Sequence, residues 1–255
     1  MNKNLTAFLF LIISIPVSCQ TVSKDTLQFK GNFNLSGNLT SGREFQRTLQ
    51  VEFNPSLEKG TWNLENKFRF LYSDVDGDVL NRNWDALIFY KRYFNGQKRW
   101  YPFLVTDLQT NFGYELEFRL GYGGGLTYKP TLKNKSNELL LSVGSIYYRN
   151  RYTESVFTNS NRIGNQRDML RLVVHYDQSN QLIKDKLTFK SNGWFLQSTE
   201  ESADFIFRLS FSLEFNLTKV LSFTANYRII HENVTLESLD NQQQFTSIGI
   251  KADFK

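Results

Sequence analysis

Cysteine, histidine, proline and long apolar runs are all scarce in this chain, and each scarcity removes a class of protein. The 255 residues hold one cysteine, two histidines, four prolines and two methionines. A lone thiol, Cys19, can form no internal disulfide and leaves no thiolate cluster for zinc or redox chemistry. Beyond the first two dozen residues no apolar run approaches the roughly 18–20 residues that a transmembrane helix requires. Charge is dispersed as well. The formal net charge is +5 and the pI about 9.1, but no basic block with interleaved aromatics marks a nucleic-acid surface, so nucleic acid is not expected as a partner.

What the chain has in quantity is alternation. From Thr26 to Thr40, Leu27, Phe29, Gly31, Phe33, Leu35, Gly37 and Leu39 share one face, while Gln28, Lys30, Asn32, Asn34, Ser36 and Asn38 share the other. Side chains in a strand alternate with period two, so this is a strand with one apolar and one polar face over about 13 residues. Soluble strands usually stop near 5 or 6 residues. A tilted strand crossing a bilayer needs roughly 9–11, with lipid on its apolar side and a lumen on its polar side. Phe205–Leu217 repeats the pattern, with Phe205, Phe207, Phe211 and Phe215 on the apolar face.

The same test applied downstream gives about 12 strands, with 10 or 14 as alternatives. Trp62–Tyr72, Leu116–Tyr128 and Leu221–Ile229 are clear; Phe45–Phe53, Trp84–Phe94, Trp100–Thr106, Leu139–Tyr148, Arg167–Tyr176, Ile183–Leu196 and Gln244–Phe254 have more mixed faces. The expected fold is an all-β antiparallel transmembrane barrel over residues 20–255. The connections divide into shorter ones (Asn54–Gly60, Asn95–Arg99, Pro130–Ser136, Asp177–Leu182, Thr218–Val220) and longer ones (Ser41–Gly42, Ser73–Arg82, Asp107–Gly113, Arg149–Gln166, Gln197–Asp204, Glu232–Gln243). Short periplasmic turns and long outer loops are usual for outer-membrane barrels. A soluble β-sandwich is the rival architecture.

Residues 1–19 read as an export signal. Lys3 opens a positive region, Leu5 to Val17 form an apolar core, and Val17-Ser18-Cys19 before Gln20 suits signal peptidase. Alternatively Cys19 is the lipidated first residue of a lipoprotein, against which Pro16 stands three residues earlier. The expected location is the Gram-negative outer membrane. Trp62, Trp84, Trp100 and Trp194 lie near strand ends and are expected in aromatic girdles. Phe254, the penultimate residue, is the expected assembly signal; outer-membrane barrels resemble one another in a last strand that ends on an aromatic.

Several motifs together resemble a family. Gly31-Asn32 with Ser36-Gly37-Asn38, the run Gly121-Tyr122-Gly123-Gly124-Gly125-Leu126-Thr127-Tyr128, and Gly144 with Tyr147 resemble the salt-induced outer-membrane proteins, a domain-of-unknown-function family of the 481 type. The resemblance implies an outer-membrane barrel and carries over no catalytic residue. Loops rich in Asn, Ser and Gln and the Cys19-Gln20 junction resemble Bacteroidetes sequences.

Chemistry on the polar faces is sparse. His175 lies on the polar parity near Asp177 and could serve as a base, but no serine stands at same-face spacing beside it in sequence; His231 takes the apolar parity. Asp74-Val75-Asp76-Gly77-Asp78 resembles a calcium loop without its following bidentate glutamate. Gly121, Gly123 and Gly125 are expected to bend their strand and to leave luminal room for a bulky neighbour. Lumen-lining charges are expected at Lys30, Glu65, Lys67, Arg69, Glu117, Arg119, Arg171, Lys190, Arg208, Glu214 and Arg228. Their positive excess favours small anions if the lumen is open. The sequence therefore predicts a non-enzymatic barrel, passive or narrowly porin-like, without metal or cofactor, whose partners are outer-membrane lipid and the barrel-assembly machinery. Two alternatives are a lipid-modifying hydrolase and a surface-binding protein that acts through its outer loops.

Overall fold

The computed structural model describes residues 26–254 except 41–45, 95–98, 133, 135, 155, 158, 159, 161–163 and 238. The export segment and Cys19, the connection at Ser41–Gly42 and the terminal Lys255 lie outside the described residues. Twelve strands form a closed antiparallel barrel: β1 (Gln28–Thr40), β2 (Gln46–Lys59), β3 (Trp62–Val75), β4 (Asp78–Arg92), β5 (Trp100–Asn111), β6 (Leu116–Tyr128), β7 (Glu138–Tyr152), β8 (Gln166–Ile183), β9 (Leu187–Ser198), β10 (Phe205–Asn216), β11 (Leu221–Glu232) and β12 (Gln242–Phe254). Each strand pairs with its sequence neighbours, and β1 closes the cylinder on β12.

Strands extend further than apolar alternation alone indicates. β2 absorbs most of the connection expected at Asn54–Gly60, β8 absorbs Asp177–Leu182, and Asp74 through Asp78 is a hairpin with only Asp76 and Gly77 between β3 and β4. Both turn residues have positive φ, 51° and 97°, the conformation that Asp-Gly supplies to two-residue hairpins. The acidic run is thus turn chemistry. Asp74 itself is buried and accepts hydrogen bonds from Arg47 at 2.8 and 3.0 Å. One end of the barrel carries both described termini and tight connections such as Gly60-Thr61 and Lys184-Asp185-Lys186; the other carries the segments 153–165, 199–204 and 233–241. These are called the turn end and the loop end below.

Outward rows are apolar. Phe33, Leu35, Leu104, Leu126, Val143, Leu172, Val174, Phe207, Phe215, Ile248 and Ile250 are all exposed. Phe205 and Phe211 share the outward row of β10, where Phe211 stacks on Phe189 and Phe205 on Phe195. At the closing seam Phe254 stacks on Phe29 and Phe53, 5.5 and 6.0 Å between ring centroids. A Cβ on Gly31 would stand 2.7 Å from that ring, so glycine there admits the terminal aromatic. On the neighbouring seam Pro55 interrupts the β2–β3 ladder: pairing runs to Phe53↔Phe68 and resumes at Ser56↔Glu65 in the same register. Proline has no N–H to donate. Asn66, in the gap, has a buried Oδ1 without a hydrogen-bond partner.

The glycines of β6 and β7 act in two ways. A Cβ on Gly121 would meet the Tyr148 ring at 2.4 Å, so this glycine leaves room for that tyrosine. On Gly123, Gly125 or Gly144 it would instead meet backbone oxygen at 2.1–2.4 Å. Those three allow β6 and β7 to approach and turn sharply. Gly249 does the same where β12 meets β1, its Cβ falling 2.3 Å from the Leu35 oxygen. In the ring of twelve strands these two places lie opposite one another. Sharp corners at opposite points narrow the cylinder between them. Gly121→Ala is expected to cost about 1–3 kcal/mol by overpacking and to be relieved by Tyr148→Leu. Gly123→Ala finds only backbone in its way, so no side-chain change relieves it; urea unfolding of the refolded barrel compares the two.

Candidate functional site

The inward face is where function must be sought, and it is not uniformly polar. On β5 the inward residues are Tyr101, Phe103, Val105, Asp107, Gln109 and Asn111, all buried. With Phe89, Ile146, Tyr148, Met169, Val173, Leu196 and Ile206 the apolar members form a core inside the barrel. Trp194 packs against it, 6.0 Å from the Phe89 ring and 4.1 Å from His175. Trp194 is therefore a luminal residue and not part of a girdle. Its neighbours on the inward row of β9, Lys190 and Asn192, bond across the interior wall, and parity carries Trp194 with them. Trp62, Trp84 and Trp100 take the outward parity, and Trp100 stacks on Tyr128 at 4.3 Å.

Side chains from opposite walls touch. Lys67 on β3 reaches Asp177 on β8 at 3.5 Å, Phe89 on β4 meets Trp194 on β9, Arg208 on β10 reaches Gln109 and Asp107 on β5 at 3.4 and 3.6 Å, and Arg119 on β6 binds Glu232 on β11. Each pair lies five strands apart in a ring of twelve, and the partner strands advance by one on both walls. Because barrel strands tilt by roughly 35–45°, a line parallel to the axis passes from strand to strand. The four contacts therefore stack into a partition across the lumen.

Arginines and lysines occupy different halves. The arginine pairs cluster toward the loop end. Arg119 is 1% exposed and donates from both terminal nitrogens to both Glu232 oxygens at 2.9 Å, and Nε donates to Asn150 at 2.9 Å. Arg167 and Arg171 both bind Asp204, and Arg69 binds Asp85. The lysine pairs sit toward the turn end: Lys91 with Glu65 at 2.6 Å, and Lys190 and Lys251 on the two oxygens of Glu214 at 2.8 Å. A rigid guanidinium fork can satisfy a dry carboxylate bidentately, whereas an ammonium keeps its water. Asp107, Asp177, Asp204 and Glu232 are expected from sequence in connections, and the rows of Asp85, Lys91, Arg167 and Lys251 also hold aromatic or aliphatic residues, so parity singles out none of the eight as luminal. Among the described residues Arg228 and Lys30 make no ion pair or hydrogen bond. Glu117 falls at the register shift where β6 begins; it is exposed and pairs with exposed Arg151 at 2.8 Å, outside the luminal rows.

Apolar residues gather at the loop end. Tyr114, Leu116, Tyr152, Phe157, Ile230, Val234 and Leu236 form a second buried cluster. Two segments far apart in sequence meet there in the bridge Phe157↔Leu236, and Leu236 is 0% exposed. Arg167 lies over the Phe157 ring at 4.9 Å, joining this cluster to the ion pairs. Toward the turn end the described residues enclose two cavities. One cavity of about 220 Å³ is lined by Glu65, Lys67, Phe89, Lys91, Tyr101 and Phe103 among others, and one of about 420 Å³ by Lys30, Asn32, Asn54, Lys67, Lys219 and Asp253 among others.

His175 lies in the first cavity. Its Nε2 bonds to Asn192 at 2.8 Å, and its register partner on β7 is Ser142, a neighbour that same-strand spacing could not reveal. The Ser142 hydroxyl is bonded to Thr127 at 2.9 Å. His231 turns outward and stacks on Phe205 at 5.5 Å. No group of three or more His, Cys, Asp or Glu suited to a metal occurs among the described residues.

Comparison with known proteins bears on the fold. No curated protein matches the sequence. Among solved structures, the NanC porin in a rhombohedral crystal form is 10% identical with a TM-score of 0.51, the match covering 88% of this chain and 99% of that one. The KdgM porin in complex with disordered oligogalacturonate is 8% identical, TM-score 0.46, covering 88% and 99%. The anion-selective porin from Comamonas acidovorans is 10% identical, TM-score 0.40, covering 90% and 100%. The likeness to the NanC porin and the closed twelve-strand sheet show that this chain has the barrel fold of outer-membrane porins. Residues 33–254 match the family described as "Protein of unknown function, DUF481", and the chain belongs to that family.

Proposed function

We propose that the protein is a non-enzymatic outer-membrane barrel, with its turn end in the periplasm, that acts as a narrow and normally closed channel with a weak preference for anions. The partition across the lumen carries this reading. Four wall-to-wall contacts and the apolar cluster at the loop end leave bulk ions no wide path, while Arg228 and Lys30, which have no ion-pair partner among the described residues, are cations that an entering anion would meet. Charges that are paired across a dry interior close it, because separating them leaves each one desolvated. The engaged Ser142 hydroxyl supports the absence of a serine–histidine hydrolase.

The purified, refolded protein should migrate heat-modifiably and give small anion-leaning currents, or none, in planar bilayers. Glu232→Gln strips Arg119 of its charged partner and should raise single-channel conductance; currents that favour cations contradict the charge argument. Phe211→Arg places a charge on the outward face and should hinder assembly, at a cost of about 2–4 kcal/mol if the site is near the bilayer midplane. Acyl-chain hydrolysis of phospholipid or lipopolysaccharide that disappears in His175→Ala would establish the hydrolase instead.

A further inference from the structure

The two cavities at the turn end are neighbours that share Glu65 and Lys67 in their linings. Their characters differ. The smaller has an aromatic and aliphatic floor of Phe89, Tyr101, Phe103 and Leu140, backed by Trp194 against Phe89, and a polar rim that includes Glu138, His175 and Asp177. Lys91 on that rim is satisfied by Glu65 at 2.6 Å. The larger is polar, and its cations are in surplus. Lys30 and Lys219 have no ion-pair or hydrogen-bond partner among the described residues, and Lys67 is held only loosely, at 3.5 Å from Asp177 with 44% of its side chain exposed. The acids there are engaged elsewhere: Glu65 with Lys91 and Asp253 with Lys251. Joined, the cavities fall in the range of about 300–1,000 Å³ usual for small-molecule sites.

A lobe with an aromatic floor beside a polar lobe with unengaged ammonium groups fits one kind of molecule. We infer that the turn-end half of the lumen binds an amphiphilic carboxylate, its apolar or aromatic body against Phe89 and Phe103 and its carboxylate among Lys30, Lys67 and Lys219. A neutral apolar molecule would leave the lysines as they are, and a small anion would leave the aromatic floor wet. The site rests on the barrel fold and does not depend on conduction, so its failure would leave the bilayer currents unaffected.

The test uses the full mature chain in lipid nanodiscs, since detergent would compete, with 4-phenylbutyrate as probe. Acetate and 4-phenylbutanol serve as the head-only and body-only comparisons, and empty nanodiscs measure partition into lipid. Saturable binding of phenylbutyrate above the empty-disc background is expected, with the alcohol and acetate each at least about tenfold weaker, as loss of one charge-assisted contact implies. Lys30→Gln should weaken phenylbutyrate about tenfold and leave phenylbutanol unchanged. Both variants Lys30→Gln and Lys219→Gln alter exposed side chains, and retained heat-modifiable migration certifies their fold. Equal binding of the alcohol and the carboxylate, no effect of either substitution, or no binding beyond that of empty discs would overturn the assignment.

Discussion

Opposite walls of this barrel are close enough for side chains to touch, and most other features follow from that proximity. Twelve strands ordinarily enclose more width than the roughly eight whose interior side chains fill. Here the width is taken back at two opposite corners, where Gly123, Gly125 and Gly144 on one side and Gly249 on the other let backbone approach backbone. Once narrowed, the interior behaves like a protein core as much as a pore lining. Phe89, Phe103, Ile146 and Met169 can then bury apolar surface inside a cylinder whose outer face is also apolar, and Arg119 can reach Glu232 from the far wall.

Burial then decides which cation goes where. Near the loop end the buried cluster around Leu236 and Phe157 leaves the charges dry, and the cations there are arginines, of which Arg119 grips its carboxylate with two nitrogens. Toward the turn end cavities remain that can hold water, and the cations there are lysines. Such pairs contribute little net stability, since desolvation offsets most of their attraction, but breaking one is expensive because it strands its partner. The interior network consequently specifies one arrangement of the walls more than it strengthens the sheet.

The sequence disclosed the outside of the barrel far better than the inside. Lipid imposes a single requirement on outward residues, so every odd position of Phe205–Leu217 and of Leu27–Leu39 is apolar or glycine. Inward residues answer to whichever side chain faces them across the lumen, a partner that may be a hundred residues away, as Glu232 is from Arg119. Trp194 shows the cost of that: an aromatic near a strand end has the composition of a girdle residue, and only the row it shares with Lys190 and Asn192 reveals that it points inward. The same holds for Ser142, which strand register brings beside His175. Glu117 was displaced for a local reason, the register shift between Leu116 and Phe118, which breaks parity where β6 begins.

The interrupted ladder between β2 and β3 makes the wall mechanically uneven. Along most of the sheet a tug on one strand is shared through consecutive backbone bonds with both neighbours. At Pro55 two rungs are missing, and Asn66 opposite it carries a buried oxygen without a donor. Shear and radial strain in the cylinder concentrate at that gap, as stress does at a notch. The notch lies on the large turn-end cavity, whose wall includes both Pro55 and Asn66, so widening the lumen there breaks fewer backbone bonds than along the paired stretches beside it.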